Sequence, residues 1–497
     1  MREKNVIEFM SGIVDDFKLG DVGDYNESMF GVDINGAYSG IIADTRAKTG
    51  LKNAVAWGEG SVGKTPLVVA GSDFGFLGAS MGCSEARTIV QAMHAATEKK
   101  LPMVWFVKSG GGRINEGVWS LLSISKILEA RAVLRKESIP FICVAMNPTC
   151  AGSLVVAAQA DILVGKESSS MGFHGPKVIS MTEHFPLPAG FQKGEYAFRN
   201  GHVDILAKDD EIVTTLSGIL KFFRKDAAAP FADSAKLPDI GNHAVSSSSA
   251  MDYVKKARDE KPDIRRLVSQ VFESFVELHG DRINADDPAI FGGLGKIRGE
   301  TAAIIGYDNT HGNIMDKIHR EFNMAHPSGL RKAARLVELA GNLRLPLVTF
   351  TDSPGTYPDV KSEEDGIASA LGDLILKMLG VQVPSIGFIV GEGGAMGALP
   401  FTMTDFLYMT DTSYYSLISP EGVASILYKD IKRADEAAAI MKITPPDMLE
   451  AGIIDGVIPV TPREGTLCGI IQSLIATHLF SPGHLSRNLE KRTRLKW

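Results

Sequence analysis

A spacing of 244 residues constrains this chain more than any other feature of its sequence. Pro102 and Pro346, Gly111 and Gly355, Pro140 and Pro384, Asp161 and Asp405, and Pro176 and Pro420 are each separated by 244 positions. The surroundings agree: LPMVWFVKSGGG at 101–112 aligns with LPLVTFTDSPGT at 345–356, and ADILVG at 160–165 with TDFLYM at 404–409. Turn formers in register over such a span indicate a tandem duplication of one domain. The expected domains are residues 1–245 and 246–497, divided where 208–250 turns charged, then Pro- and Ser-rich, ending in Val245-Ser-Ser-Ser-Ser249.

Within each copy the pattern is α/β. β-branched and apolar runs predict strands over 53–60, 65–71, 101–108 and 139–146. Helices are expected up to Lys100 and over 118–136, with glycine-bearing connections Asp73–Gly82 and Ser109–Arg113. Residues 1–50 read as amphipathic and loop-like, and Leu267, Val271, Phe275 and Leu278 predict a helix over 264–279. Glu363-Glu364 is expected to open a helix, where carboxylates suit the dipole.

A net charge of −7 argues against nucleic acid or an anionic membrane as the main partner. No apolar run is long enough to span a bilayer, and acidic residues interrupt the apolar N-terminal stretch, unlike a secretory signal. Cys83, Cys143, Cys150 and Cys468 form no C-x-x-C pair, which excludes a zinc ribbon and fits a reducing cytoplasm with no metal.

The chain contains no G-x-S-x-G elbow, no H-E-x-x-H and no Walker lysine motif. Only His174, His311, His319 and His326 of the eleven histidines sit in stretches of functional appearance. What the chain supplies instead is backbone amides on two kinds of glycine turn in each half. One kind is Ser109-Gly-Gly-Gly-Arg113 and Ser353-Pro-Gly-Thr356; the other lies around Ala151-Gly152 and Met396-Gly397. Paired amides at helix starts stabilise an oxyanion or enolate without a titratable side chain, which suits chemistry through a thioester enolate.

Residues 50–210 resemble the β subunit of bacterial acetyl-CoA carboxylase carboxyltransferase. The resemblance is carried by Asp73–Gly82, Ser109–Arg113 with Glu116-Gly117, and MGFHGPKVI continuing to Leu187–Tyr196. Residues 262–460 resemble its α subunit through Phe275–Arg282, Asp352–Pro358, Gly391-Glu-Gly-Gly394, Leu417–Gly422 and Met441-Lys-Ile-Thr444. The β subunit's zinc ribbon has no counterpart. This resemblance implies a crotonase-type ββα-spiral in each half and carboxyl transfer from carboxybiotin, on a separate carrier protein, to acetyl-CoA in fatty acid biosynthesis. It also implies CoA on the β-like half, biotin on the α-like half of another subunit, and hence at least a homodimer. A biotin carboxyl carrier protein and a biotin carboxylase would be separate partners.

Carried over by position, the implied catalytic amides are Ala151-Gly152, or Gly152-Ser153 if the internal repeat sets the alignment, and Met396-Gly397. The implied cofactor-binding positions are Gly78, Met81, Gly110, Gly111, Gly112 and Arg113 in the first half, and Gly355, Tyr357, Gly393 and Gly394 in the second. Met396 stands where the family has glycine: its amide survives, but a glycine-only backbone angle would not. Acidic Asp359 and Asp365 follow Tyr357-Pro358, and Tyr307–His311 lacks the family's lysine. A biotin-independent decarboxylase of malonyl thioesters is the alternative reading, and a non-catalytic CoA-binding relative a third.

Overall fold

The computed structural model describes residues 5–23, 38–183, 185–224, 248–460, 464–480 and 492–494. The chain divides into two compact units, Met1–Arg224 and Lys225–Trp497. The expected boundary at 245 lies outside the described residues.

In the first unit, strands Asp15–Leu19, Val55–Val62 and Thr65–Ser72 pair antiparallel in that order. The sheet continues in parallel through Met103–Ser109, Phe141–Cys150, Ile162–Lys166 and Ile205–Ala207. A short strand, Met171–Gly172, pairs with the far end of Phe141–Cys150. The second unit repeats this plan strand for strand. Ser274–Glu277, Ile290–Ile297 and Glu300–Tyr307 are antiparallel, followed in parallel by Leu347–Ser353, Ser385–Gly394, Phe406–Thr410 and Gly456–Ile458. Tyr414–Ser416 sits on the end of Ser385–Gly394 as Met171–Gly172 does in the first unit.

The sequence repeat is a register repeat. Ser109 pairs with Thr149 after an irregularity in the ladder, and Ser353 pairs with Gly393 after the same irregularity. Helices Cys83–Lys99 and Pro327–Leu343 both stop at a left-handed residue, Lys100 at φ 54° and Arg344 at φ 53°.

Most of the matched prolines and both aspartates owe their positions to the sheet. Proline has no amide to give, so Pro102, Pro140, Pro346 and Pro384 stand just ahead of strands and offer only their carbonyls, while Pro176 and Pro420 open helices. Val68 and Ala303 donate to Pro102 and Pro346 at 3.0 and 2.8 Å, and Met103 and Leu347 to Pro140 and Pro384 at 2.8 and 2.9 Å. The carboxylates of Asp161 and Asp405 accept the amides of Phe141 and Ser385 at 2.8 and 2.9 Å. Each is also bound by a buried arginine, Arg131 and Arg492 respectively. Burying these groups is tolerable because they are paired. The sheets bury Trp105, Phe141 and Ile89 in the first unit and Phe350, Phe388 and Ile471 in the second.

Three local expectations are corrected. The helix expected over 264–279 ends at Val271, and Ser274–Glu277 forms an edge strand against Ile290–Ile297. Leu267 and Val271 are buried by the helix, while Phe275 and Val276, good strand formers, are drawn into the ladder. The supposedly loop-like start contains helices Val6–Ser11 and Tyr38–Thr49 besides its strand. Glu363 and Glu364 end the short helix Val360–Glu364, which Asp359 opens by accepting the Ser362 amide.

Candidate functional site

In the first unit two chain reversals meet at the carboxyl ends of the parallel strands. The reversal after Met103–Ser109 is bound to a left-handed turn, Leu77-Gly78-Ala79, with φ of 48°, 64° and 48°. Gly110 donates its amide to the Gly78 carbonyl at 2.8 Å, Met81 donates to Gly111 at 2.8 Å, and Arg113 donates to Met81 at 2.8 Å. The Gly111 amide is taken by the Ser109 hydroxyl at 3.1 Å. Among the described residues no acceptor takes the Gly112 amide.

The second reversal opens helix Ala151–Ala157. Cys150 holds its cap position without accepting from it, so the first-turn amides have neither a side-chain cap nor an intrahelical partner. The two reversals touch, since a Cβ on Gly111 would lie 3.8 Å from the Ala151 Cβ. Gly111 and Ala151 are thus brought together, and with them the turn of Gly112 and the helix start at 151–153, with Gly78, Met81 and Gly110 as the frame.

Arg113 is placed differently from the rest. It is buried, and its guanidinium is occupied by the Ser80 hydroxyl, the Ser80 carbonyl, Glu85 and Tyr38, at 2.6, 2.7, 2.7 and 3.1 Å. It braces the turn.

The second unit repeats part of this network at the same spacing, with Pro354, which has no amide, standing where Gly110 donates in the first. Glu321-Phe322-Asn323 form the left-handed turn, with φ of 49°, 54° and 62°. Tyr357 donates its amide to Ala325 at 3.1 Å, Gly355 donates to the Ser353 hydroxyl at 3.2 Å, and the Ser353 hydroxyl donates to Asn323 at 2.5 Å. Again the residue between, Thr356, has an amide that no described residue accepts. A Cβ on Gly355 would lie 3.8 Å from the Ala395 Cβ. Helix Ala395–Thr402 begins there, capped by Gly394 without a side-chain bond. Thr356 belongs to the turn read from the sequence but is not among the implied binding positions, although it lies 244 residues from Gly112.

Gly393 and Gly394 belong to the strand, where close packing rather than a loop demands glycine. A Cβ would stand 2.9 Å from the Tyr414 carbonyl at 393 and 2.3 Å from the Pro354 carbonyl at 394. The left-handed residue at the helix start is Ala395, with φ 51°, as Ala151 is in the first unit with φ 50°. Met396 lies outside that region, and its side chain is 43% exposed. The Gly397 carbonyl accepts the buried Tyr307 hydroxyl at 2.8 Å.

The neighbouring titratable groups do not supply a nucleophile. Burial, reinforced by Glu116, pushes the Cys83 thiol up to about 12, and burial also raises Cys150. Both stay protonated at neutral pH. Among the four singled-out histidines, His326 packs on Tyr357 with ring centroids 4.7 Å apart and contacts the Ser362 hydroxyl at 3.1 Å. His311 contacts the Lys261 carbonyl, while His174 and His319 are exposed. Beside the first-unit turns lies a cavity of about 410 Å³ whose lining includes Lys48, Asp73, Phe74, Phe106, Lys108 and Met146. Among the described residues no cluster of side chains could hold a metal ion, and no helix is long and apolar enough to cross a membrane.

Residues 234–467 match the family model described as acetyl co-enzyme A carboxylase carboxyltransferase-like. The chain is 34% identical over 423 residues to the acetyl-coenzyme A carboxylase carboxyl transferase subunits beta/alpha of Saccharopolyspora erythraea, covering 85% of this chain and 74% of that one. The protein of the same name from Salinispora tropica is 36% identical over 433 residues, covering 85% and 76%. The α subunit from Fusobacterium nucleatum is 40% identical over 245 residues, 48% of this chain and 78% of its own. Among solved structures, transcarboxylase 12S superposes with a TM-score of 0.77 at 19% identity, over 98% of this chain and 93% of the other. A single-chain, multi-domain long-chain acyl-CoA carboxylase gives 0.71 at 18% identity, over 95% of this chain and 46% of the other. These likenesses show the fold, two tandem crotonase-like domains.

Proposed function

The chain belongs to the acetyl-CoA carboxylase carboxyltransferase family, and from that premise we propose that it moves a carboxyl group from carboxybiotin to acetyl-CoA, forming malonyl-CoA. The observation that carries the reading is the matched pair of amide sets: Gly112 with the 151–153 amides, and Thr356 with the 395–397 amides. Each set is two reversals in contact, and what each offers is backbone amides rather than a titratable side chain.

The chemistry needs little else. Carboxybiotin, when bound, would supply CO2 by loss of its N–C bond and a ureido oxygen able to take the α-proton of the acetyl thioester, whose α-carbon would then form the new C–C bond to CO2. In this proposal the first-unit amides hold the thioester enolate oxygen and the second-unit amides the ureido oxygen. A single oxyanion donor contributes about 3 kcal/mol to such a barrier. The first unit takes the CoA thioester: its cavity sets Lys48 and Lys108 near Phe74, suited to phosphates and a flat base.

Biotin would come on a separate carrier, charged by a separate carboxylase. The oligomeric part of the proposal is supported by exposed apolar side chains on matched segments, Phe173, Val178 and Met181 in one unit and Leu417, Ile426 and Leu427 in the other. An acyl-CoA panel, assayed with and without a biotinylated carrier, tests the reading. Carboxylation of acetyl-CoA that depends on the carrier is expected. Consumption of malonyl-CoA at the same rate without biotin would replace it with a decarboxylase.

A further inference from the structure

We propose that Arg258 is a positioning residue for the amide donors of the second unit. It lies near the end of helix Ala250–Asp259, which buries Met251, Val254 and Ala257 in a cluster with Tyr414, Ala438 and Ile443. Its guanidinium grips both oxygens of Glu421, Nη1 to Oε1 at 2.7 Å and Nη2 to Oε2 at 3.1 Å. Its Nε donates to Glu392 Oε2 at 3.3 Å, and the same oxygen accepts the Tyr414 hydroxyl at 2.7 Å. One planar group thereby joins the opening helix of the unit, the helix Pro420–Val423 and the strand that runs into Ala395.

The strand end needs such a hold. Its last four residues are Gly391-Glu392-Gly393-Gly394, and glycine is the residue with most backbone freedom to lose. Glu392 is the one side chain in that run through which the donor turn can be fixed. Its amide is held as well, by Asp352 Oδ1 at 2.8 Å. Among the described residues of the first unit this device has no counterpart. A spacing of 244 places Pro148, Ser170 and Lys177 opposite Glu392, Tyr414 and Glu421. There the strand end is Asn147-Pro-Thr-Cys150, and Thr149 anchors itself through its hydroxyl to Val107 and Met146 at 2.8 and 2.9 Å.

Half-exposed ion pairs add little to global stability. Arg258 and Glu421 have side chains 36% and 30% exposed, and Glu392, at 12%, keeps the Tyr414 hydroxyl, so losing Arg258 should act more on the turn than on the fold. The activity arm of the test rests on the carboxyl-transfer reading; the exchange arm does not. In Arg258→Met, amide hydrogen exchange across 391–397 is expected to quicken about tenfold while the melting temperature barely moves. Turnover should fall on the order of tenfold with KM for acetyl-CoA held within about twofold. Arg258→Lys should restore only part of both, because an ammonium cannot grip two oxygens of one carboxylate and reach a second. If Arg258→Met does not fold, Glu421→Gln removes one arm of the grip and should shift exchange in the same direction. Unchanged exchange at 391–397 in the folded variants overturns the proposal, whatever the activity. Faster exchange in a protein that never transfers a carboxyl group overturns the functional reading and leaves the positioning role standing.

Discussion

Gly397 lies against Gly355 so closely that a Cβ at 397 would stand 2.6 Å from the Gly355 carbonyl carbon and 2.7 Å from its oxygen. In the first unit the implied donor Gly152 faces something softer, since a Cβ there would meet the end of the Ile124 side chain at 2.8 Å. Backbone cannot step aside as an isoleucine methyl can. Gly397→Ala should therefore displace the turn, cost roughly 1–3 kcal/mol of stability and cut turnover on the order of 100-fold. Gly152→Ala should lose less than about tenfold, by the same constant for donor geometry. Steady-state kinetics with denaturant melts decide it, and the reverse ranking would contradict the geometry.

Ala395, not Met396, carries the left-handed backbone at the second helix start, with φ 51°. Met396→Ala keeps the amide and removes only a half-exposed side chain, so turnover should stay within about threefold. Ala395→Val puts a β-branched residue where L side chains are strained and should destabilise by about 1–2 kcal/mol. Urea titration of the two variants checks the contrast.

Asp286 makes part of the stability of the second unit pH-dependent. Burial pushes its carboxyl up, but the bond from His279 at 2.8 Å and the Lys332 ammonium at 2.6 Å outweigh it and leave it well below the usual range. A depressed carboxylate contributes stability in full above the unfolded value, near 4, and loses it as pH falls through the folded one. The stability gap between wild type and Asp286→Asn should accordingly narrow from pH 7 to pH 3, read from urea midpoints. A gap that widens on acidification would show the sign to be wrong.

Arg492 is fully buried, donating to Asp405 and to the carbonyls of Met378, Val381 and Val383. Arg492→Met strands a buried carboxylate and should cost about 3–5 kcal/mol. Thermal unfolding would show it as a large drop, while replacement of exposed Lys126 should leave the midpoint nearly unchanged.

Much of this architecture was legible because its punctuation is chemical. Pro102, Pro140 and their counterparts mark strand starts, since a residue without an amide belongs at that place in a ladder. Asp161 and Asp405 marked the same junction in each half, although only coordinates reveal that they bind strand amides and buried arginines. The left-handed turns were half visible: Gly78 permits one, but Phe322 at the matched position gives no local hint, since its turn is tied from a distance by the Ser353 hydroxyl donating to the Asn323 carbonyl. The helix expected at 264–279 failed for a related reason, as pairing with Ile290–Ile297 overrode a helical spacing. Arg258 and Arg492 were invisible because their carboxylate partners lie 87 or more residues away.

The central claim is carboxyl transfer at two amide sets, and the reverse reaction tests it most directly. Purified full-length protein would be incubated with malonyl-CoA and a biotinylated carrier, following carboxybiotin and acetyl-CoA together. Stoichiometric formation of both, lost on omitting the carrier and sharply reduced in Gly397→Ala, is the predicted result. Acetyl-CoA appearing at an equal rate without any biotin would contradict it.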